Sequence, residues 1–244
     1  MKDTIKIDAK STKLIAHRGL SSLEKENTCA SFEAAGRRPS YYGIETDIHR
    51  TADGDFIIIH NATVDNGFGE TVEVEKSTYS ELRKIRLEGL EHRICQDELR
   101  LPSLEEYVGI CQKYGKKCIL ELKSDFTMDE TKILIDRIAK TGYLENVVFI
   151  SFVFEALLNV RAYLPHQKCQ FLTDETTETV IRKCSESGFD IDTGYNNLTE
   201  ELVNMAHELG LEMNVWTINT TEKSEELISW GVDYITTDCL EGKY

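Results

Sequence analysis

The 244-residue chain has little that would staple or anchor a fold, and each shortage removes a class of protein. Three prolines leave it without Pro-rich linkers, and no low-complexity tract or internal repeat appears. Seven scattered cysteines, an odd number with no CxxC spacing, suggest neither a disulfide framework nor a zinc knuckle; they read as reduced, mostly core thiols. No stretch approaches the roughly 20 apolar residues of a membrane span, and Met1 is followed by no apolar signal core, so a cytoplasmic protein without membrane insertion is expected. Positive charge is also scarce. Twenty-eight basic residues against 43 acidic ones give a net charge of −15, which repels nucleic-acid backbones and anionic lipid surfaces. An anionic small-molecule substrate would need local cations to overcome that field.

What the chain does contain is a regular alternation of short β-branched runs and helix-patterned segments, the signature of a parallel sheet with crossover helices. Candidate strands are 14–16, 43–48, 118–122, 147–150, 169–172, 189–192, 213–216 and 234–236. Eight such runs in a chain of this length predict an α/β fold, a (β/α)8 TIM barrel forming one domain over 1–244. Helix starts are marked by capping boxes at Thr127/Glu130 and Ser103/Glu106, and Ile133, Leu134, Ile138 and Ala139 recur at helical spacing. The polar interval 61–102 interrupts the alternation and reads as a small insertion after strand 2, with one helical piece around 80–87.

Within that frame the unusual polar residues fall at the carboxyl ends of strands, the face on which barrel enzymes place their active sites. His17 and Arg18 follow the first run, Glu45 and Asp47 lie on the second, Glu121 and Lys123 on the third, Trp216 on the seventh and Asp238 after the eighth. In a strand, residues two apart share a face, so Glu45 and Asp47 point the same way. A two-residue turn at Asp53-Gly54 would set Asp47 opposite His60. Taken singly, each residue has a structural explanation. Glu121 can pair with Lys123 inside the barrel, Trp216 can be packing, and His17 can cap a strand end. Together they are harder to accommodate, because inward carboxylates about 5 Å apart repel by roughly 3 kcal/mol per pair at an effective dielectric near 20. A hard divalent cation held by Glu45, Asp47 and Glu121, Mg²⁺ or Ca²⁺ rather than zinc, relieves that repulsion. Two histidines beside the cation, with Arg18 and Lys123, suit phosphodiester cleavage: one imidazole accepts a proton and the other donates one.

In sequence order, His17-Arg18-Gly19, Glu26-Asn27-Thr28, Glu45-x-Asp47, Asp53-Gly54 leading to His60, Glu121-x-Lys123, Trp216-Thr217 and Thr237-Asp238 resemble the pattern of glycerophosphodiester phosphodiesterases, from about residue 14 to 238. The resemblance implies that His17 and His60 are the acid/base pair and that Glu45, Asp47 and Glu121 ligate the metal. It further implies that Arg18 and Lys123 contact the phosphate and Trp216 walls the glycerol pocket. Glu26 and Asn27 match a motif near the site and carry no assigned role. Two positions depart from the family pattern: Asn61 stands where Asp usually follows the second histidine, and Lys25 replaces the usual Pro before Glu-Asn.

The expected reaction is hydrolysis of deacylated phospholipids to sn-glycerol 3-phosphate and an alcohol. Two other readings compete: a phospholipase D-like barrel lyase that releases a cyclic phosphate, and a non-catalytic, metal-binding barrel that only holds a phosphodiester. Retention of both His17 and His60 speaks against the last. His49 continues the Glu45/Asp47 alternation but reads as a strand-end residue without a role, and His92, His166 and His207 as surface residues. Oligomeric state and head-group preference are not legible in the sequence.

Overall fold

The computed structural model describes residues 3–65, 69–89 and 99–243. Eight strands form the barrel: β1 Lys13–Ala16, β2 Tyr41–Arg50, β3 Lys117–Leu122, β4 Val147–Ser151, β5 Cys169–Thr173, β6 Asp190–Gly194, β7 Met213–Trp216 and β8 Tyr234–Thr237. All neighbours are parallel, and pairing of β1 with both β8 and β2 closes the ring. The expected (β/α)8 architecture is the observed one, with crossover helices α1 Cys29–Gly36, α2 Leu104–Tyr114, α3 Met128–Lys140, α4 Phe154–Tyr163, α5 Glu178–Ser187, α6 Glu200–Glu208 and α7 Thr221–Ser229. After β8 the chain returns as the strand Leu240–Gly242, which pairs with Ile5–Ile7.

Alternation within the strands sorts side chains between two buried layers. On β3, Cys118, Leu120 and Leu122 join the large cluster between sheet and helices, while Ile119 joins Ile15, Val148, Ile150, Leu172 and Tyr234 inside the barrel. Both faces are therefore out of water, as expected for a parallel sheet. Both predicted capping boxes form; Thr127 accepts from the Glu130 amide and the Glu130 carboxylate accepts from the Thr127 amide. The buried stripe of α3 is Thr131, Leu134, Ile135 and Ile138. Ile133 is 48% exposed, one residue out of the phase expected from its apolar neighbours.

Two sequence expectations shift by about a residue. Strand β6 starts at Asp190 because Phe189 belongs to the end of α5: its amide bonds the Cys184 carbonyl across Gly188, whose φ of +67° closes the helix. The hairpin after β2 is wider than a two-residue turn. Arg50 pairs with Phe56 and Ile48 with Ile58, so Ile59 rather than His60 stands opposite Asp47, and the Ile59 amide bonds the Asp47 carbonyl at 3.1 Å. Thr51 sets this wider loop, since its hydroxyl donates to Asp53 and accepts from the Asp55 amide, with Gly54 at φ +78°.

Strand Phe56–Ile58 adds antiparallel to the part of β2 that outruns the barrel. Beyond it come a hairpin of Thr63–Asp65 with Thr71–Glu73, a 3₁₀ turn Val74–Lys76 and a one-turn helix Tyr79–Leu82, shorter than the helix expected around 80–87. Ile57, Ile59, Val64, Val74, Leu82, Ile85 and Leu101 give this segment its own apolar cluster. His92 and Cys95 lie outside the described residues. His166 and His207 are exposed, as expected.

Candidate active site

The loop after β1 turns sharply. Arg18 and Gly19 take left-handed φ values of +53° and +79°, and a Cβ on Gly19 would collide with Ser31. Such backbone is held only where its surroundings over-determine it. Here the Arg18 amide donates to Glu45 Oε2 at 2.8 Å, while the Arg18 carbonyl accepts from the Asn27 amide and the Ser31 hydroxyl. Asn27, also left-handed at φ +52° and buried, donates to Asp47 Oδ2 at 2.7 Å and accepts from the Thr46 hydroxyl. Through these bonds the Glu26-Asn27 motif locks the first loop onto the second strand.

Register places the acidic residues. Asp47 on β2 is paired with Glu121 on β3, and Glu45 lies two residues deeper on the same face. Carboxylate oxygens of the three lie within 4.8 Å of one another, and all three residues are buried. Lys123 reaches Glu121 at 2.8 Å and Asp47 at 3.5 Å; Arg18 Nε stands 3.6 Å from Asp47 and its Nη1 3.2 Å from Glu26. Burial works against ionised Asp47, yet Lys123, Arg18 and His60 hold it below the usual carboxylate range. Burial, with the charges of Asp47 and Glu121, pushes Glu45 well up, and burial plus Asp47 pushes Glu121 to about 7. Two cations cannot satisfy three carboxylates here. A hard divalent ion fits this all-oxygen donor set.

The two histidines come from different elements. Closure of the barrel pairs Ala16 with Thr237, so the next residues, His17 and Asp238, meet at 2.7 Å (Nδ1 to Oδ1). Ser21 and Asn219 donate to the same carboxylate. Despite burial, these bonds hold Asp238 down at about 2. His60 follows the short strand Phe56–Ile58 and bonds Asn61 Oδ1 through Nδ1 at 2.9 Å. Partial burial lowers its pKa; the charge of Asp47 and the bond to Asn61 oppose the shift without cancelling it. A cleft of about 470 Å³ opens beside it, lined by Glu26, Asn27, His60, Asn61, Asp65 and Arg86 among others. The floor of the site is the barrel and this wall is the insertion.

A sequence profile of the Glycerophosphoryl diester phosphodiesterase family matches residues 17–241. The chain belongs to that family. It is 30% identical to a glycerophosphodiester phosphodiesterase of Caldanaerobacter subterraneus over 93% of this chain and 94% of that one. A glycerophosphodiester phosphodiesterase structure from Parabacteroides distasonis superposes with a TM-score of 0.79 at 29% identity, covering 93% of each chain. An Oleispira antarctica phosphodiesterase, solved with the product sn-glycerol-3-phosphate, shares the fold with a TM-score of 0.81 at 21% identity over 95% of each chain. The enzyme is thus a phosphoric diester hydrolase of this family. None of the helices among the described residues is long and apolar enough to cross a membrane.

Of the residues singled out in the sequence, His17, Arg18, Glu26, Asn27, Glu45, Asp47, His60, Asn61, Glu121 and Lys123 converge on this end of the barrel. Trp216 reaches the mouth from across the ring, where its ring stands edge-on to Phe152 at 5.8 Å and its buried Nε1 has no partner among the described residues. Sequence reading gave Asp238 no role, although it orients His17, and it missed Ser21 and Asn219. It also missed Asp192, buried on β6 with one oxygen unpartnered and pushed by burial to about 8. The Asp190-Ile191-Asp192 spacing, the same as that of Glu45 and Asp47, was the available signal for an inward acid.

Proposed function

We propose that the enzyme hydrolyses glycerophosphodiesters to sn-glycerol 3-phosphate and an alcohol, using a divalent cation, Mg²⁺ or Ca²⁺, and acid–base catalysis by His17 and His60. The observation that carries this reading is the buried Glu45/Asp47/Glu121 cluster at the end of the barrel that also carries two differently partnered imidazoles. Those carboxylates would hold the cation, which when bound supplies Lewis-acid polarisation of a phosphate oxygen. Charge supports the fit: three carboxylates with Arg18 and Lys123 leave one negative charge, and a divalent ion converts that to one positive, the complement of a phosphodiester.

His60 takes the proton from the attacking water. Its Nδ1 bond to Asn61 leaves Nε2 as the basic atom, and its lowered pKa keeps it neutral near pH 7. As the water oxygen bonds to phosphorus, the bond to the alcohol oxygen breaks, and His17 protonates that oxygen. The Asp238 carboxylate accepts from His17 Nδ1 and fixes the orientation of that ring. Arg18 and Lys123 carry the phosphate charge, and Trp216 walls the glycerol moiety. The 61–102 segment is an insertion within a single 1–244 domain, and the cleft it lines opens on the His60 side. Cys111, Cys118, Cys169 and Cys184 are buried free thiols, consistent with a reducing, cytoplasmic compartment.

Turnover of glycerophosphocholine tests the reading: sn-glycerol 3-phosphate and choline should form with Mg²⁺ or Ca²⁺ and stop with chelator. A cyclic phosphate seen by ³¹P NMR would select the lyase reaction, and tight binding without turnover would select the non-catalytic barrel.

A further inference from the structure

Strand β2 runs past the barrel rim, and His49 sits on that extension, on the face that carries Glu45 and Asp47. It is only 4% exposed. Its Nε2 meets the backbone carbonyl of His60 at 3.3 Å, and its Nδ1 meets Glu75 Oε1 at 3.3 Å. Glu75 belongs to the 3₁₀ turn of the 61–102 segment and is shared with Arg50, which also pairs with Glu130 of α3. One imidazole therefore bridges a barrel strand, the insertion and the main chain of the proposed base. His60 needs such a support, because the ladder that would otherwise hold its backbone ends at the bond between the Ile59 amide and the Asp47 carbonyl.

We propose that His49 is a positioning residue for His60: through the His60 carbonyl it fixes the height of that ring over the acidic cluster, and through Glu75 it makes this height depend on the seating of the insertion. This inference rests on the acid–base reading of His60. Displacing a catalytic ring by about an ångström can cost around 10²-fold in rate, whereas substrate and metal contacts made elsewhere are untouched.

The amides of Gln and Asn separate the two bonds. In His49→Gln the amide nitrogen reaches the place of Nε2 and keeps the bond to His60; in His49→Asn it replaces Nδ1 and keeps only the bond to Glu75. The expected result with glycerophosphocholine is a kcat about 10- to 100-fold lower for H49N, with KM and the metal concentration for half-activity within about 3-fold of the parent, and substantial recovery in H49Q. Equal activities for H49N and H49Q, or a loss confined to KM or to metal affinity, would overturn the proposal. Glu75→Ala, on the far side of the ring, should lower kcat several-fold with KM unchanged, and it decides the matter if H49N melts too low to assay. His60→Ala keeps the two readings apart: an active H60A removes the acid–base reading itself, whereas an inactive H60A beside a fully active H49N and E75A sinks only the role of His49.

Discussion

The two mouths of the barrel are built from similar residues to opposite ends. At the amino-terminal mouth, Lys13 stacks over the rings of Tyr42 and Tyr234, and Lys168 pairs with Glu212 and Asp190 while also facing Tyr234. The Tyr234 hydroxyl donates to Glu212 at 2.9 Å. Cations, anions and rings there compensate one another. At the carboxyl-terminal mouth three buried carboxylates face two cations, Arg18 takes a left-handed backbone, and Trp216 Nε1 finds no partner among the described residues. Charged and aromatic residues thus form a balanced cluster at one end and an uncompensated site at the other. Unrelieved charge of that kind is what a bound cation would compensate.

The sharpest way to break this contrast is to remove the imidazoles. His17→Ala and His60→Ala should each lower kcat by about 10²- to 10⁴-fold while melting temperatures change little, as measured by steady-state kinetics and thermal melts. A large stability loss would make them structural residues instead. Next come the carboxylates. Glu45→Gln and Glu121→Gln should weaken Mg²⁺ or Ca²⁺ binding by more than about 10-fold in calorimetric titration and raise the melting temperature of the metal-free protein, because each removes an acid whose ionisation burial disfavours.

The pH dependence of metal-free stability sharpens the same point. Asp192 at about 8 and Glu121 at about 7 stay protonated in the folded state where the unfolded chain has lost the proton. Stability should therefore fall as pH rises from about 4 towards 8, and Asp192→Asn should flatten that slope in denaturant titrations across the range. Asp238 has the opposite sign. Held at about 2, it contributes stability above the ordinary carboxylate range, and that contribution is lost as pH falls towards 2. Asn61→Asp should raise the pKa of His60 by adding an anion at its Nδ1, moving the acidic limb of the pH–rate profile to higher pH; an unmoved limb would separate His60 from that limb. The smallest effect belongs to the other mouth: Lys168→Met should cost about 1 kcal/mol or less, because the side chain is 34% exposed and screened, and should leave kcat unchanged.

Legibility followed the range of the interaction responsible. Barrel strands were read to within two residues at either end, and both capping boxes form, because alternation and capping are settled within a few positions of the chain. The errors are local too: Phe189 was drawn into a helix cap by Gly188, and Thr51 widened a turn that Asp53-Gly54 alone suggested was tight. His49 was dismissed because its partners, a main-chain carbonyl and Glu75, leave no trace in residue spacing.

The sequence by itself determined the eightfold alternation, the shared face of Glu45 and Asp47, and the carboxyl-terminal placement of His17, Arg18, Glu121 and Lys123, since each follows from strand periodicity and chain direction. Tertiary structure alone decided that His17 meets Asp238, that Glu121 lies beside Asp47, and that His60 is carried to the cluster beyond the end of its ladder. Those pairings depend on barrel closure and strand register, which are fixed by packing between segments as far apart as Ala16 and Thr237 and not by any local preference.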